Sequence, residues 1–193
     1  MIRGMKVTCV IPARLKSTRF PRKMLCSLLG VPLLERVWTQ ARQVSVFDEV
    51  VFAIDSEETA ALIDRFGGKW HMTSEECASG SDRLAQLLRE GKIESDLFVN
   101  WQGDEPFIQE RMIHDLLQSC GQEDSDLWTL KKRILKESEL SNPHIAKVVC
   151  DKRGFALYFS RSQIPFYRDE ADFSKKNSLQ ACRFICLYER GSA

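Results

Sequence analysis

The feature that most limits how this chain can fold is an alternation of two periods across its first 120 residues. Short apolar, β-branched runs occur at 6–12 (KVTCVIP), 49–55 (EVVFAID), 69–72 (KWHM) and 96–102 (DLFVNWQ). Between and after them, apolar residues recur at helical spacing. Leu33, Leu34, Val37, Trp38, Ala41 and Val44 form one stripe, opened by Gly30 and Pro32. A second helical stretch ends at Gly67-Gly68, Leu84, Leu87 and Leu88 mark a third, and Ile108, Met112, Ile113, Leu116 and Leu117 a fourth. Strand and helix alternating four times predict right-handed β-α-β crossovers, hence an α/β fold: a mainly parallel twisted sheet with helices on both faces. From about residue 125 the pattern changes. DLWTLKKRI, IAKVVCD, FALYFS and CRFICLYE (182–189) read as strands, the second and third joined by a KRG turn, which predicts added antiparallel strands in the C-terminal third. The 193 residues, 44% of them hydrophobic, suffice for one core, so a single domain over 1–193 is expected.

Charge is unevenly placed. The net charge of +1 gives no general bias toward nucleic acid or a membrane surface, and neither is expected as a partner. Residues 1–34 nevertheless hold seven of the 28 Lys/Arg and no acid, leaving 21 to set against all 27 Asp/Glu. Such a distribution points to a local anion site. Seven cysteines, odd in number and without a C-x-x-C pair, read as buried free thiols in a reducing compartment. The three histidines are scattered, which argues against a zinc cluster. No apolar run approaches the ~18–20 residues of a membrane helix. The N-terminal apolar run is too short for a secretory signal, so a soluble cytoplasmic protein is expected.

In open parallel sheets ligands sit beyond the carboxyl ends of the strands, and three motifs fall there. After the first strand, a loop carries Arg14, Lys16, Arg19, Arg22 and Lys23 with no acid among them. Arg and Lys side chains with loop N–H groups neutralise a polyphosphate well, although no Walker pattern is present. After the fourth strand comes QGDEP (102–106). Asp104 there can hold Mg²⁺ against phosphate oxygens, or Asp104 or Glu105 can cap the following helix. Asp55, after the second strand, is either a site residue or a helix cap. In ASGSDRL (78–84), Ser79 or Ser81 reads as an N-cap, the commoner meaning of such a pattern, or as part of a small-residue loop that approaches a base edge. Arg161, at a later strand end, is either a surface arginine or a clamp for a substrate carboxylate.

Taken in order, IPARxxSTRFPxK (11–23), SGSDRL (79–84), QGDEP (102–106) and NPHIAKVVCDKRGFALYFSRSQIPF (142–166) resemble the 3-deoxy-manno-octulosonate cytidylyltransferases, or CMP-Kdo synthetases. The resemblance runs over nearly the whole chain. It implies a nucleotide-diphospho-sugar-transferase-like fold, a cytoplasmic homodimer and the Mg²⁺-dependent reaction CTP + Kdo → CMP-Kdo + pyrophosphate, which supplies lipopolysaccharide synthesis. By the same resemblance Arg14, Arg19 and Lys23 hold the CTP phosphates, and the turn Ser79, Gly80 and Ser81 approaches cytosine. Gln102 and Asp104 face the α-phosphate and the metal, and Gln102, Arg161 and Tyr188 lie toward the sugar acid. Arg14, Lys23 and Asp104 carry the catalytic charge.

The chain departs from the family pattern in three places. PRKML stands where the family reads P-G-K-P-L, so Arg22 replaces a glycine and Met24 a proline; an arginine there is expected to distort the loop or block part of the pocket. PRK is also similar to the N-acylneuraminate cytidylyltransferases, which makes CMP-sialic acid synthesis the enzymatic alternative. Phe184 falls where the family has a histidine. Third, the family continues beyond the equivalent of Ala193, through a V-D-T-P-E-D-type segment with a second acidic metal ligand. A domain truncated at its C-terminus, with weak or no catalysis, is the alternative from another functional class.

Overall fold

The computed structural model describes residues 4–16, 20, 22–118, 120, 125–168 and 178–188, the side chains of 183, 184 and 188 excepted. In chain order the elements are β1 (Val7–Ala13), β2 (Ser27–Leu28), β3 (Val31–Pro32), α1 (Leu33–Gln43), β4 (Glu49–Ile54), α2 (Glu57–Arg65), β5 (Lys69–Met72), α3 (Gly80–Arg89), β6 (Leu97–Asn100), α4 (Glu110–Gln118), β7 (Leu127–Arg133), α5 (Glu137–Leu140), β8 (Lys147–Cys150), β9 (Ala156–Ser160) and β10 (Leu179–Tyr188). Where one domain is expected from sequence, the described residues group into two compact units. One draws on Met1–Trp128 and Phe184–Ala193, the other on Thr129–Arg183.

The first unit is the parallel sheet that the alternation predicts. β1 pairs in parallel with β4 on one side and β6 on the other, and β4 pairs in parallel with β5. The order is therefore β5-β4-β1-β6. The last residues of β10 run antiparallel along β6, with Ile185 opposite Asn100 and Leu187 opposite Phe98. Every residue of β1 is buried, and β4 is buried from Val50 onward. Strands covered on both faces read as continuous apolar runs, which is why their sequences do not alternate. Val10, Val51, Ala53, Leu84, Leu87, Ile93 and Phe98 form one core cluster between the sheet and α3. Leu87 has no exposed surface there, and truncating it to alanine would cost about 2–5 kcal/mol.

Local signals set the helix ends. Ser56 accepts the N–H of Thr59 and caps α2. The same helix stops at Gly67-Gly68 for a specific reason. Gly67, at φ +71°, donates to the Asp64 carbonyl, and Gly68 donates to that of Ile63, the paired bonds of a Schellman motif. A Cβ on Gly68 would lie 2.6 Å from Ile63 Cγ2, so that position has no room for a side chain. Ser79 caps α3 in a reciprocal box with Asp82.

The second unit is antiparallel. β8 and β9 form a hairpin whose turn is held by Asp151; its Oδ1 accepts the N–H groups of Arg153 and Phe155 at 2.9 and 2.8 Å. The first residues of β10 pair with β8, Gln180 opposite Lys147, and Thr129 Oγ1 donates to the Cys182 carbonyl at 3.3 Å. On β9, Leu157, Tyr158 and Phe159 are all exposed. All seven cysteines carry free thiols; Cys9, Cys120 and Cys186 are buried, whereas the other four are only half-buried. Among the described residues no helix is long and apolar enough to cross a membrane.

Candidate functional site

The strand order decides where a ligand can sit. The chain steps outward from β1 to β4 and β5, then returns across the sheet to β6. The connections leaving β1 and β6 therefore diverge, and the carboxyl ends of these strands are where open parallel sheets hold ligands. Those ends lead into the basic loop and into QGDEP. Three segments converge there: the end of β1, the turn after β6 and the start of α3.

Small residues make this convergence possible. A Cβ on Gly80 would lie 2.7 Å from Pro12 Cγ and 3.3 Å from Gln102 Nε2. A Cβ on Gly103 would lie 3.0 Å from the Pro12 carbonyl oxygen, 3.1 Å from Leu34 Cδ2 and 3.3 Å from Met24 Sδ. Polar contacts bind the same segments. Asn100 Nδ2 donates to Ser81 Oγ at 3.3 Å, and Gln102 Nε2 donates to Asn100 Oδ1 at 3.2 Å. Trp101 is fully buried, and its indole N–H donates to the Glu105 carbonyl at 2.9 Å, fixing the acidic turn from beneath. Neither Asn100 nor Trp101 stands out in the sequence, because each lies inside a run that reads simply as strand.

The loop's cations find partners from distant segments. Lys23, in a short 3₁₀ turn over Lys23–Leu25, places Nζ 2.9 Å from Asp104 Oδ2. Lys16 pairs with Glu75 at 2.5 Å, and Arg14 Nη1 donates to the Ala78 carbonyl at 3.0 Å. The exposed Lys16 ammonium holds the Glu75 carboxyl below its ordinary range, through their hydrogen bond and charge. Arg19 lies outside the described residues. Arg22 corrects an expectation. Its backbone takes the left-handed conformation, φ 58° and ψ 25°, that a glycine would adopt freely, and its guanidinium pairs with Glu58 on α2. The loop thus keeps a glycine-like turn at Arg22.

Asp55 is not a helix cap; Ser56 fills that place. Asp55 Oδ1 instead accepts the backbone N–H of Leu15 at 2.9 Å, and its Oδ2 meets Arg83 Nη2 at 2.8 Å. Arg83 has no exposed surface. The sequence did carry a signal for it: an arginine beside Leu84 and four positions before Leu87 sits on the apolar stripe of α3.

In the second unit, Arg161 Nη1 donates to the carbonyls of His144 and Pro143 at 2.8 and 3.4 Å. Lys147, also without exposed surface, donates to the carbonyls of Asn142 at 2.6 Å and of Arg161 at 3.0 Å. Sequence reasoning missed Lys147, which is embedded in a β-branched run. Tyr188 and Phe184 lie in β10, their side chains outside the described residues.

Chemically, the first unit offers a buried carboxylate tether, a carboxylate–ammonium pair beyond those strand ends and a capped helix start lined by small residues. Comparison with known proteins gives this arrangement a context. The family model described as "Cytidylyltransferase" matches residues 8–185. The 3-deoxy-manno-octulosonate cytidylyltransferase of Thermodesulfovibrio yellowstonii is 46% identical over 181 residues, covering 90% of this chain and 71% of the relative. That of Geotalea uraniireducens is 39% identical over 188 residues, covering 97% and 74%. Among solved structures, a CMP:2-keto-3-deoxy-manno-octonic acid synthetase complexed with CTP superposes with a TM-score of 0.85 at 36% identity, over 95% of this chain and 74% of that one.

Proposed function

This chain belongs to the cytidylyltransferase family, and from that premise we propose that it transfers the cytidylyl group of CTP to the anomeric hydroxyl of 3-deoxy-manno-octulosonate, with release of pyrophosphate. The observation that carries this reading is the contact of Lys23 with Asp104 at 2.9 Å, between the loop after β1 and the turn after β6. In such a transfer the hydroxyl oxygen attacks the α-phosphorus in line with the departing pyrophosphate. The protein's work is to position the groups and neutralise charge. Arg14, Arg19 and Lys23 hold the triphosphate and stabilise the leaving pyrophosphate. The Ser79, Gly80 and Ser81 turn approaches cytosine, with Gly80 packed closely against Pro12 and Gln102. Gln102 and Asp104 face the α-phosphate. Arg161 and Tyr188, with Gln102, serve the sugar acid.

The residues present fit Mg²⁺. Among the described residues no cluster of three or more His, Cys, Asp or Glu is present, but Mg²⁺ is commonly held by one or two carboxylates completed by phosphate oxygens and water. The Asp104 side chain, 14% exposed on a turn, offers the hard oxygen this requires. Bound there, the ion would supply Lewis-acid polarisation of phosphate and hydroxyl oxygens. Lys23, with Nζ 2.9 Å from Asp104 Oδ2, would place a cation beside the phosphate that Asp104 faces.

Pyrophosphate release with CTP and Kdo, measured beside CTP and sialic acid, tests the reading. Turnover with Kdo is expected; turnover with sialic acid alone, or with neither, overturns it. We also propose that a second copy of the chain covers the apolar β9 surface, Leu157, Tyr158 and Phe159. Sedimentation velocity is expected to show a dimer, and a monomer at high micromolar concentration refutes that association.

A further inference from the structure

Asp55 and Arg83 form an ion pair sealed within the first unit, their side chains 5% and 0% exposed. Sealed pairs of this kind are poor devices for stability, since apolar residues of similar size serve at least as well. This one is also not built for stability alone: among the described residues Arg83 Nε, although buried, has no hydrogen-bond partner. What distinguishes the pair is what it holds. Asp55 Oδ1 receives the N–H of Leu15, the residue beside Arg14, at 2.9 Å. Arg83 Nη1 donates to Thr73 Oγ1 at 2.5 Å and to the Ser74 carbonyl at 3.0 Å. Arg83 itself stands one turn along α3 from its Ser79 cap. Two outer ties run parallel to this inner one, Lys16 to Glu75 and Arg14 to the Ala78 carbonyl.

We propose that Asp55 and Arg83 are positioning residues that lock Leu15, and Arg14 beside it, in fixed register with the Ser79, Gly80 and Ser81 turn. The proposal rests on the reading of Arg14 as a triphosphate ligand. The two halves of the nucleotide site then belong to one rigid body: Leu15 is tied to Asp55, Asp55 to Arg83, and Arg83 to the helix whose start meets the base. Neither acidic nor basic partner touches the nucleotide. Their effect is geometric, through where the charged groups around the polyphosphate are held.

Calorimetric titration with CTP and with CMP tests this, because both share the base and α-phosphate and only CTP has the β- and γ-phosphates. In Asp55→Asn, CTP affinity is expected to fall about tenfold and CMP affinity less than about threefold. The double variant Asp55→Leu/Arg83→Met replaces the pair with apolar groups and so guards against a simple failure to fold. It is expected to melt near the wild-type temperature and still show the CTP-specific loss. Equal losses for CTP and CMP, or recovery of CTP affinity in the double variant, overturn the proposal. Arg14→Ala serves as the control for the underlying reading. If it leaves the CTP-to-CMP ratio unchanged, that reading fails and the inference with it; if it lowers the ratio while Asp55→Asn does not, only the inference fails.

Discussion

Among the described residues each unit hides one cation completely, and the two are treated differently. In the first unit Arg83 faces the carboxylate of Asp55. In the second, Lys147 donates to carbonyl oxygens, those of Asn142 and Arg161, and among the described residues it has no paired carboxylate, while the Arg161 guanidinium acts on it. Burial, and to a lesser degree that guanidinium, push the Lys147 ammonium below its ordinary range. The surroundings differ in the same sense. In the first unit β1 is buried throughout and β4 from Val50 onward, whereas Leu157, Tyr158 and Phe159 on β9 are exposed. The central strands of the first unit are thus closed in charge and in surface. The second unit is open in both respects.

Four experiments can break or sharpen this contrast. The largest effect is expected from Asp104→Ala, which removes the carboxylate opposite Lys23 and should lower kcat on the order of 10³-fold or more. Lys147→Met, in the other unit, should leave CTP affinity within about threefold. A loss of CTP affinity well beyond about threefold in Lys147→Met would show that the nucleotide site is not a property of the first unit alone. Next, chemical denaturation of Arg83→Met should show a loss of about 3–5 kcal/mol, because Asp55 is left buried and uncompensated. Lys147→Met, which strands two carbonyls but no charge, should lose only about 1–3 kcal/mol. A reversed order would refute the contrast between the two cations.

A smaller effect concerns pH. Because the folded-state pKa of Lys147 is depressed, the unfolded chain binds more protons between that value and the ordinary 10.5. This group's contribution to stability is therefore fully present above pH 10.5 and is lost as pH falls through the folded-state pKa. Melting measured from pH 8 to 11 should show the wild type gaining stability with pH relative to Lys147→Met; parallel curves would remove the assignment. The smallest change is expected from Arg22→Gly. It relieves a left-handed backbone worth roughly 1–2 kcal/mol. It also removes an exposed pair worth about 0–1 kcal/mol and adds glycine's conformational freedom of roughly 0.5–1 kcal/mol. The net shift should stay within about 1 kcal/mol; a much larger loss would mean that the Arg22–Glu58 contact fastens the loop more firmly than an exposed pair can.

Much of the first unit was legible because its signals are local. KWHM forms β5 over the residues read from the sequence, and the Gly67-Gly68 stop is a Schellman motif. Ser79 caps α3 as its SGSD context implies, since a cap bonds only a few positions away. The hairpin of β2 and β3 was missed; each strand has two residues, too few to show a period. The loop's apparent lack of acids was misleading for a different reason. Lys16 and Lys23 find theirs 59 and 81 positions away, and only the β-α-β crossovers bring those carboxylates close. The roles of Asp55 and Arg83 were hidden likewise. Neither residue type announces that its partner is a backbone N–H forty positions earlier or a carboxylate on another element.

The tenth strand has a consequence for how the molecule is made. β6 lies between β1 and a neighbour drawn from the far end of the described chain, so Asn100 leaves the ribosome long before Ile185 exists to pair with it. At usual translation speeds that delay is on the order of ten seconds. Throughout it, the nascent sheet shows an open ladder of N–H and C=O groups along β6, a template for any passing extended segment. A pause placed between those two points should make the growing polypeptide more dependent on chaperones than an equal pause before β6 is synthesised.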